Sequence, residues 1–336
     1  MEKQHKPIVV LGAGSWGTAI AISLTRNNEP AILWGRDEAQ ISTLESTRCN
    51  IRYLPDVSLP DALALQADLE KTVTGAGDII VVVPSHGFRS VLESIAPYIS
   101  SEQRIAWATK GFESGSGKLL HEVAQDVFGE QKSLAVISGP TFAKEVAKGL
   151  PTAVTVASND TEFANFLADR LHTETFRVYT SDDIVGVEVG GAVKNVLAIA
   201  AGIADGLNFG ANARTALITR GLAEIMRLGD ALGGQRETFM GLAGLGDLVL
   251  TCTDNQSRNR RLGLGLGQGQ SLEDALAAID QVVEGVQTAR EVNELAISRG
   301  VDMPITHEVY RILYEGEKPR DAVHALLSRE QKAESI

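Results

Sequence analysis

Cysteine is almost absent from the chain: among 336 residues only Cys49 and Cys252 carry a thiol. Two thiols make neither a disulfide framework nor a metal-ligand set. Histidine is scarce too, with six residues and no HxH or HExxH arrangement. No structural or catalytic metal is therefore expected. Positive charge is outnumbered, 31 Lys and Arg against 43 Asp and Glu, for a net charge of −12. That balance argues against nucleic acid as a partner, but it is compatible with a small anion held by a few local cations. A secretory leader is not expected, because the apolar run near the N-terminus is only about five residues long and ends in glycines. The stretch from Val187 to Gly206 is long enough to raise the question of a membrane span. It holds Glu188, Lys194, Asn195 and four glycines, and a central lysine costs ~2.5–3.5 kcal/mol on insertion. The expectation is a soluble, cytoplasmic protein with no transmembrane segment.

What is present is ordinary in bulk and specific in pattern. The apolar share is 44% and the charged share 22%, the composition of a globular protein. The length exceeds what one hydrophobic core usually serves, so two domains are expected. The first half alternates: "IVVLG" (8–12), "AILWG" (31–35), "DIIVVVP" (78–84), "RIAWATKG" (104–111) and "SLAVISG" (133–139) are apolar runs separated by helical patterns. Continuous Val/Ile runs with helices between them predict a parallel sheet covered on both faces, the doubly wound α/β arrangement. Two further strand-like runs follow at 152–158 and 176–180. After about Thr180 the pattern is helical, at 182–205, 213–232, 284–298 and 304–314. The predicted fold is α/β, with an N-terminal Rossmann-type sheet over 1–185 and an all-α domain over 186–330. The "LGLGLGQGQ" run (262–270) has a glycine at every second position, which predicts a loop or a frayed helix end.

"GAGSWG", with Gly12, Gly14 and Gly17, follows the first strand and opens the first helix. Glycines there allow a tight turn, and the helix N-terminus offers N–H groups to a pyrophosphate, so a dinucleotide site is expected. The second strand ends in Arg36 and Asp37. An acid at this place suits the ribose hydroxyl of NAD, and an arginine suits the 2′-phosphate of NADP; the pair leaves both open and leans to NADP. Lys110 follows one strand, and Gly139, Thr141 and Ala143 follow the next, on the edge where such sheets bind ligands. A solvated lysine and an ordinary helix cap are the alternatives there. Lys194 sits in an apolar helical stretch whose positions three and four residues away hold no partner. Asp247, among apolar residues in "AGLGDLVLTC", is a second charge without a local mate, and the two would satisfy one another. Ser257, Arg258 and Asn259, in "SRNRR", combine a guanidinium with neutral donors suited to a phosphate monoester. Glu284 opens a helix, as a ligand or as a first-turn acid.

Taken in order, "GAGSWG", "ATKGFE", "SGPTFAKEVA", "GAVKNV", "AGLGDLVLTC", "SRNR" and "VVEG" resemble the bacterial NAD(P)-dependent glycerol-3-phosphate dehydrogenase family over essentially the whole chain. The resemblance implies a helical domain of the 6-phosphogluconate-dehydrogenase type and a homodimer. It implies that Ser15, Trp16, Arg36, Ala143, Val282 and Glu284 touch NADP(H) or NAD(H), and that Lys110 contacts cofactor and substrate. It implies a substrate pocket of Gly139, Thr141, Asp247, Ser257, Arg258 and Asn259, with Arg258 also reaching the cofactor. Lys194 stands at the family's proton-transfer position. Many relatives have Ser where this chain has Thr141, and the hydroxyl is kept.

The chemistry follows. Reducing the C2 carbonyl of dihydroxyacetone phosphate to sn-glycerol 3-phosphate needs a stabilised alkoxide and a proton. Lys194 is expected to supply both, with Lys110 and Asn195 orienting the oxygen. Supply of phospholipid synthesis is the role the resemblance implies. Two rivals are a two-domain hydroxyacid dehydrogenase or ketoacid reductase, and a non-catalytic dinucleotide sensor. The first would need less of the Ser257–Asn259 group, and the second would have no use for Lys194, Asp247 and Lys110 together.

Overall fold

A computed structural model describes residues 6–279 and 281–330 of the chain. It falls into two units, each with its own core. One runs to Lys110 and resumes from Leu120 to Ile184; the other comprises Gly111–Leu119 and the chain from Val185 onward. The short segment joins the helical unit because Phe112 and Leu119 are buried in that unit's core.

The first unit is a sheet with helices. Its strands are β1 (Ile8–Leu11), β2 (Ala31–Trp34), β3 (Cys49–Asn50), β4 (Leu54–Ser58), β5 (Ala64–Gln66), β6 (Asp78–Val81), β7 (Arg104–Trp107), β8 (Leu134–Ser138), β9 (Thr152–Ser158) and β10 (Phe176–Ser181). Its helices are α1 (Ser15–Arg26), α2 (Glu38–Thr47), α3 (Leu69–Thr74), α4 (Phe88–Ile95), α5 (Leu120–Phe128), α6 (Ala143–Lys148) and α7 (Thr161–Leu171). Eight strands form the main sheet in the order β10-β9-β8-β7-β6-β1-β2-β5. β1 lies parallel between β2 and β6, with Val10 opposite both Leu33 and Ile80. Strand order reverses at β1, the place where doubly wound sheets bind ligands. The central strands β1 and β6 are buried at every position, as expected for strands covered on both faces.

The sheet is not wholly parallel. β9 runs antiparallel to β8, with Ser138 opposite Thr155, while β10 is parallel to β9. The chain returns through α6 to the edge it left, so no crossover is required. Periodicity reports burial and says nothing of direction, which is why this turn was not visible in it.

The second unit is helical: α8 (Ile184–Gly206), α9 (Gly210–Leu232), α10 (Arg236–Phe239), α11 (Asp247–Thr253), α12 (Arg258–Gly267), α13 (Leu272–Ala277), α14 (Glu284–Arg299), α15 (Pro304–Tyr310) and α16 (Pro319–Leu327). Two π-helical turns, Leu242–Gly246 and Arg311–Glu315, precede α11 and follow α15. α8 is apolar on most of its surface because it is the core: every residue from Gly186 to Ala204 is buried.

The glycine-rich run expected to be a loop or a frayed helix end is instead regular helix through Gly267, as the body of α12. Its glycines are needed for contact. A Cβ on Gly263 would stand 2.0 Å from the Ile199 carbonyl oxygen, and one on Gly267 would stand 2.4 Å from that of Ile203. Reciprocally, a Cβ on Gly202 or Gly206 of α8 would meet the carbonyl oxygens of Arg260 and Leu264 at 2.1 and 2.5 Å. Four glycines at i, i+4 on two helices bring the backbones into direct contact. Packing here overrides glycine's poor helix propensity.

Candidate functional site

In the sheet unit the site is made largely of backbone. Gly12 has φ +129°, and a Cβ on it would lie 2.1 Å from the Val82 carbonyl oxygen. A Cβ on Gly17 would lie 2.0 Å from the carbonyl oxygen of Gly12. The strand–helix turn therefore closes backbone on backbone, which only glycine permits. Gly14, the N-cap of α1, has open space where a Cβ would stand, offers no side-chain cap, and is followed by no acid in the first turn. An uncapped helix start beside open space fits a pyrophosphate. The turn is held from behind: the Ala13 carbonyl accepts from Gln40 Nε2 at 2.8 Å and Asn50 Nδ2 at 3.0 Å, and Asn50 also donates to Thr18 Oγ1 at 2.8 Å.

The candidate side chains of this unit follow four strands, β1, β2, β7 and β8. The Ser15 hydroxyl donates to the Tyr53 carbonyl at 2.7 Å, and Trp16 is half-buried in the first turn of α1. Past β2, Asp37 is committed as the α2 N-cap, accepting from the N–H groups of Ala39 and Gln40 at 3.0 and 3.3 Å. Arg36 beside it is exposed. Past β7 and β8, Lys110 Nζ donates to the Gly139 carbonyl at 3.4 Å, and Thr141 Oγ1 donates to the same oxygen at 3.2 Å. Ala143 is the first residue of α6. The structure thus gathers Lys110, Gly139 and Thr141 at adjacent strand ends.

In the helical unit the site is made of buried side chains. Lys194 and Asn195 lie on α8, 6% and 3% exposed, and Asp247, at the start of α11, is fully buried. Lys194 Nζ forms an ion pair with Asp247 Oδ1, a residue 53 positions away. The π-helical turn before Asp247 makes this meeting possible by lying against Gly190, where a Cβ would come to 2.6 Å from the Ala243 carbonyl. Thr251, one turn along α11, accepts from Lys194 Nζ at 3.0 Å and gives its own proton to the Asp247 carbonyl at 2.6 Å. A buried ion pair is costly to dehydrate unless further hydrogen bonds complete it, and Thr251 supplies one. Cys252 adjoins this group, but burial pushes its thiol up to about 12, so it is not a nucleophile near neutrality.

From Asn195, the next residue of α8, runs a chain of amides. The Gly285 N–H donates to Asn259 Oδ1 at 2.8 Å, and Asn259 Nδ2 donates to Asn195 Oδ1 at 2.9 Å. Asn195 Nδ2 has no partner among the described residues. Ser257 is the N-cap of α12, accepting from the Arg260 N–H at 3.2 Å, and the half-buried Arg258 donates to Gln281 at 3.3 Å. Glu284 is the first residue of α14, and Val282 is 51% exposed.

Sequence reading missed Thr251, Gln40 and Asn50. Thr251 had a signal, since helical spacing of four from Asp247 puts it on the same face. Gln40 and Asn50 had none, because they reach the glycine turn only through the tertiary fold.

Models of two families match the chain: the N-terminus of NAD-dependent glycerol-3-phosphate dehydrogenase over residues 7–164, and its C-terminus over residues 183–324. The chain is 58% identical to glycerol-3-phosphate dehydrogenase [NAD(P)+] of Aeromonas salmonicida (strain A449), over 97% of this chain and 98% of that one. It is 56% identical to the protein of the same name from Shewanella baltica (strain OS155), over 99% of each. Among solved structures it resembles the glycerol-3-phosphate dehydrogenase of Coxiella burnetii, with a TM-score of 0.94, 50% identity, and coverage of 97% of this chain and 100% of that one.

Proposed function

Because the chain belongs to the NAD-dependent glycerol-3-phosphate dehydrogenase family, we propose that it interconverts dihydroxyacetone phosphate and sn-glycerol 3-phosphate, using NAD(P)H or NAD(P)+. The observation that carries the reading is the buried Lys194–Asp247–Thr251 group, with the unpartnered Asn195 donor beside it. A dinucleotide sensor has no use for such a group, and a carboxylate substrate would have no need of the Ser257–Asn259 set.

The cofactor, when bound, supplies or accepts the hydride. Residues that would hold it are Gly12, Gly14, Ser15, Trp16 and Gly17 at the turn, Arg36 past β2, Lys110 and Ala143 at the next strand ends, and Arg258, Val282 and Glu284 of the helical unit. Lys194 Nζ donates a proton to the carbonyl oxygen in reduction and takes the hydroxyl proton in oxidation. Asp247 and Thr251 hold that ammonium in place. Asn195 Nδ2 donates to the same oxygen, relieving a buried donor without a partner, which costs ~1–3 kcal/mol while unmet. Lys110, Gly139 and Thr141 contact the substrate's polar groups. Ser257, Arg258 and Asn259, at the start of α12, bind the phosphate, and remote binding of this kind orients the reacting carbon.

We also propose that NADP(H) is preferred, since Asp37 is spent on a helix cap and Arg36 is exposed beside it. The remaining elements of the reading are a cytoplasmic homodimer that feeds phospholipid synthesis; sedimentation velocity tests the dimer.

The test is the loss of reduced-nicotinamide absorbance with dihydroxyacetone phosphate, for NADPH and NADH in parallel, on wild type and Lys194→Ala. Wild type turns over, and the variant loses kcat by about a thousandfold with NADPH affinity unchanged. Equal losses in turnover and cofactor binding would make Lys194 a structural residue. An inert wild type that still binds NADPH would sink the substrate assignment. Equal use of the two cofactors would remove the role given to Arg36.

A further inference from the structure

An asparagine amide has a polarity: one end donates and the other accepts, and the two ends have nearly the same shape. Which end of Asn195 faces away from Asn259 therefore decides whether the group beside Lys194 is a donor or an acceptor. Nothing on α8 itself settles this. The answer comes from the start of α14. A backbone N–H can only donate, so the Gly285 N–H, 2.8 Å from Asn259, fixes the near end of that amide as its oxygen. The far end of Asn259 must then be its NH2 group, 2.9 Å from Asn195. The facing end of Asn195 must accept, which leaves Nδ2 as the end turned away.

Two independent features protect this relay. Asn259 and Asn195 are 8% and 3% exposed, so water does not compete for the amides. Gly285 is held to glycine by the relay itself: a Cβ there would stand 2.6 Å from Asn259 Oδ1, 2.8 Å from the Asn195 carbonyl oxygen and 2.9 Å from Ile199 Cδ1.

We propose that Asn259 is a positioning residue, transmitting the donor polarity of the Gly285 N–H to Asn195 so that Asn195 presents Nδ2, and not Oδ1, to the reacting oxygen. The inference rests on the reaction proposed above. It gives the Asn259 side chain a task apart from phosphate binding, and it gives the glycine of "VVEGV" a reason.

The competing explanation is that Asn259 merely caps α14, whose own N-cap, Val283, has no capping side chain. Asn259→Asp separates the two. A carboxylate still accepts from the Gly285 N–H, so the cap is kept. Its other oxygen also accepts, so Asn195 must turn its amide over to donate to it, presenting Oδ1 instead. The expected result is a loss of kcat by about 100-fold at mildly alkaline pH, the effect of losing one oxyanion donor, with melting temperature and NADPH affinity held. Relative to wild type, the variant recovers as pH is lowered, because a protonated carboxyl can again donate to Asn195. A variant that turns over like wild type, whose deficit does not change with pH, or whose deficit lies only in KM for dihydroxyacetone phosphate, as phosphate repulsion alone would give, overturns the inference. If N259D does not fold, Asn259→Ser and Asn259→Ala carry the same question. A serine hydroxyl can accept from Gly285 and donate onward, so Ser above Ala in kcat supports the relay, and equality overturns it. A wild type inert toward dihydroxyacetone phosphate would sink the reaction and the inference together. A working wild type beside an undisturbed variant sinks the inference alone.

Discussion

The two units build their candidate sites from different materials. Around Gly12 and Gly17 the sheet unit uses main chain, and the decisive residues are those with no side chain at all. Around Lys194 the helical unit uses a buried cation, carboxylate, hydroxyl and pair of amides, each placed by another. A backbone cradle is tolerant of neighbours and intolerant of any added atom. A side-chain constellation keeps its fold when one member is altered isosterically and loses its chemistry. Steric substitutions should therefore damage the first, and polarity reversals the second.

Gly17→Ala is the hardest blow to that comparison. A Cβ pressed to 2.0 Å from the Gly12 carbonyl oxygen must open the turn, and NADPH binding should weaken about a thousandfold, ~4 kcal/mol. Fluorescence titration of the folded variant measures it, and unchanged affinity would mean the turn is not the cradle. Next is Gly263→Ala, which applies the same steric logic where no cofactor is involved. Its Cβ would meet the Ile199 carbonyl oxygen at 2.0 Å, so stability should fall by about 3 kcal/mol. Calorimetry gives the loss, and NADPH titration should show none; if stability holds, the two helices separate more easily than their contact implies.

The smallest effect sharpens the contrast within the helical unit. Glu224, 1% exposed, caps α15 by accepting from the N–H groups of Ile305 and Thr306 at 2.6 and 3.1 Å. Lacking a cation as close as the one Asp247 has, its carboxyl is raised by burial to about 7. A folded-state value above the unfolded one means that the folded protein binds the extra proton. The stabilisation is complete below the unfolded value of 4.5 and is lost as pH rises through about 7. Glu224→Gln should remove that pH dependence, at most about 3 kcal/mol across the range. Urea melts of both proteins across that range decide it, and parallel slopes would refute it.

Legibility followed the same division. "GAGSWG" could be read because its constraint is local: strand, turn and helix are contiguous, and each glycine answers to its own backbone. Lys194 could be recognised as anomalous, and its match with Asp247 could be argued by elimination, since both lacked mates nearby. The Asn259–Asn195 contact could not be read, because it depends on a 64-residue separation closed by α8 and α12. The glycines of α12 misled for a related reason. Propensity sees a glycine as flexible until the partner helix is known, and the partner is α8, which supplies matching glycines.

That seam sets a gauge. α8 carries Lys194 and Asn195 ahead of its contact with α12, and Ser257, Arg258 and Asn259 stand at the head of α12. Main chain touching main chain has no rotamers to adjust and no side chain to compress. The span from the lysine proposed to handle the proton to the turn proposed to hold the phosphate is thus as stiff as the backbone allows. For the reaction proposed, substrate length is measured against a rigid caliper. A chain one carbon longer or shorter would be refused by the spacing of two helices, with no need for a wall of its own.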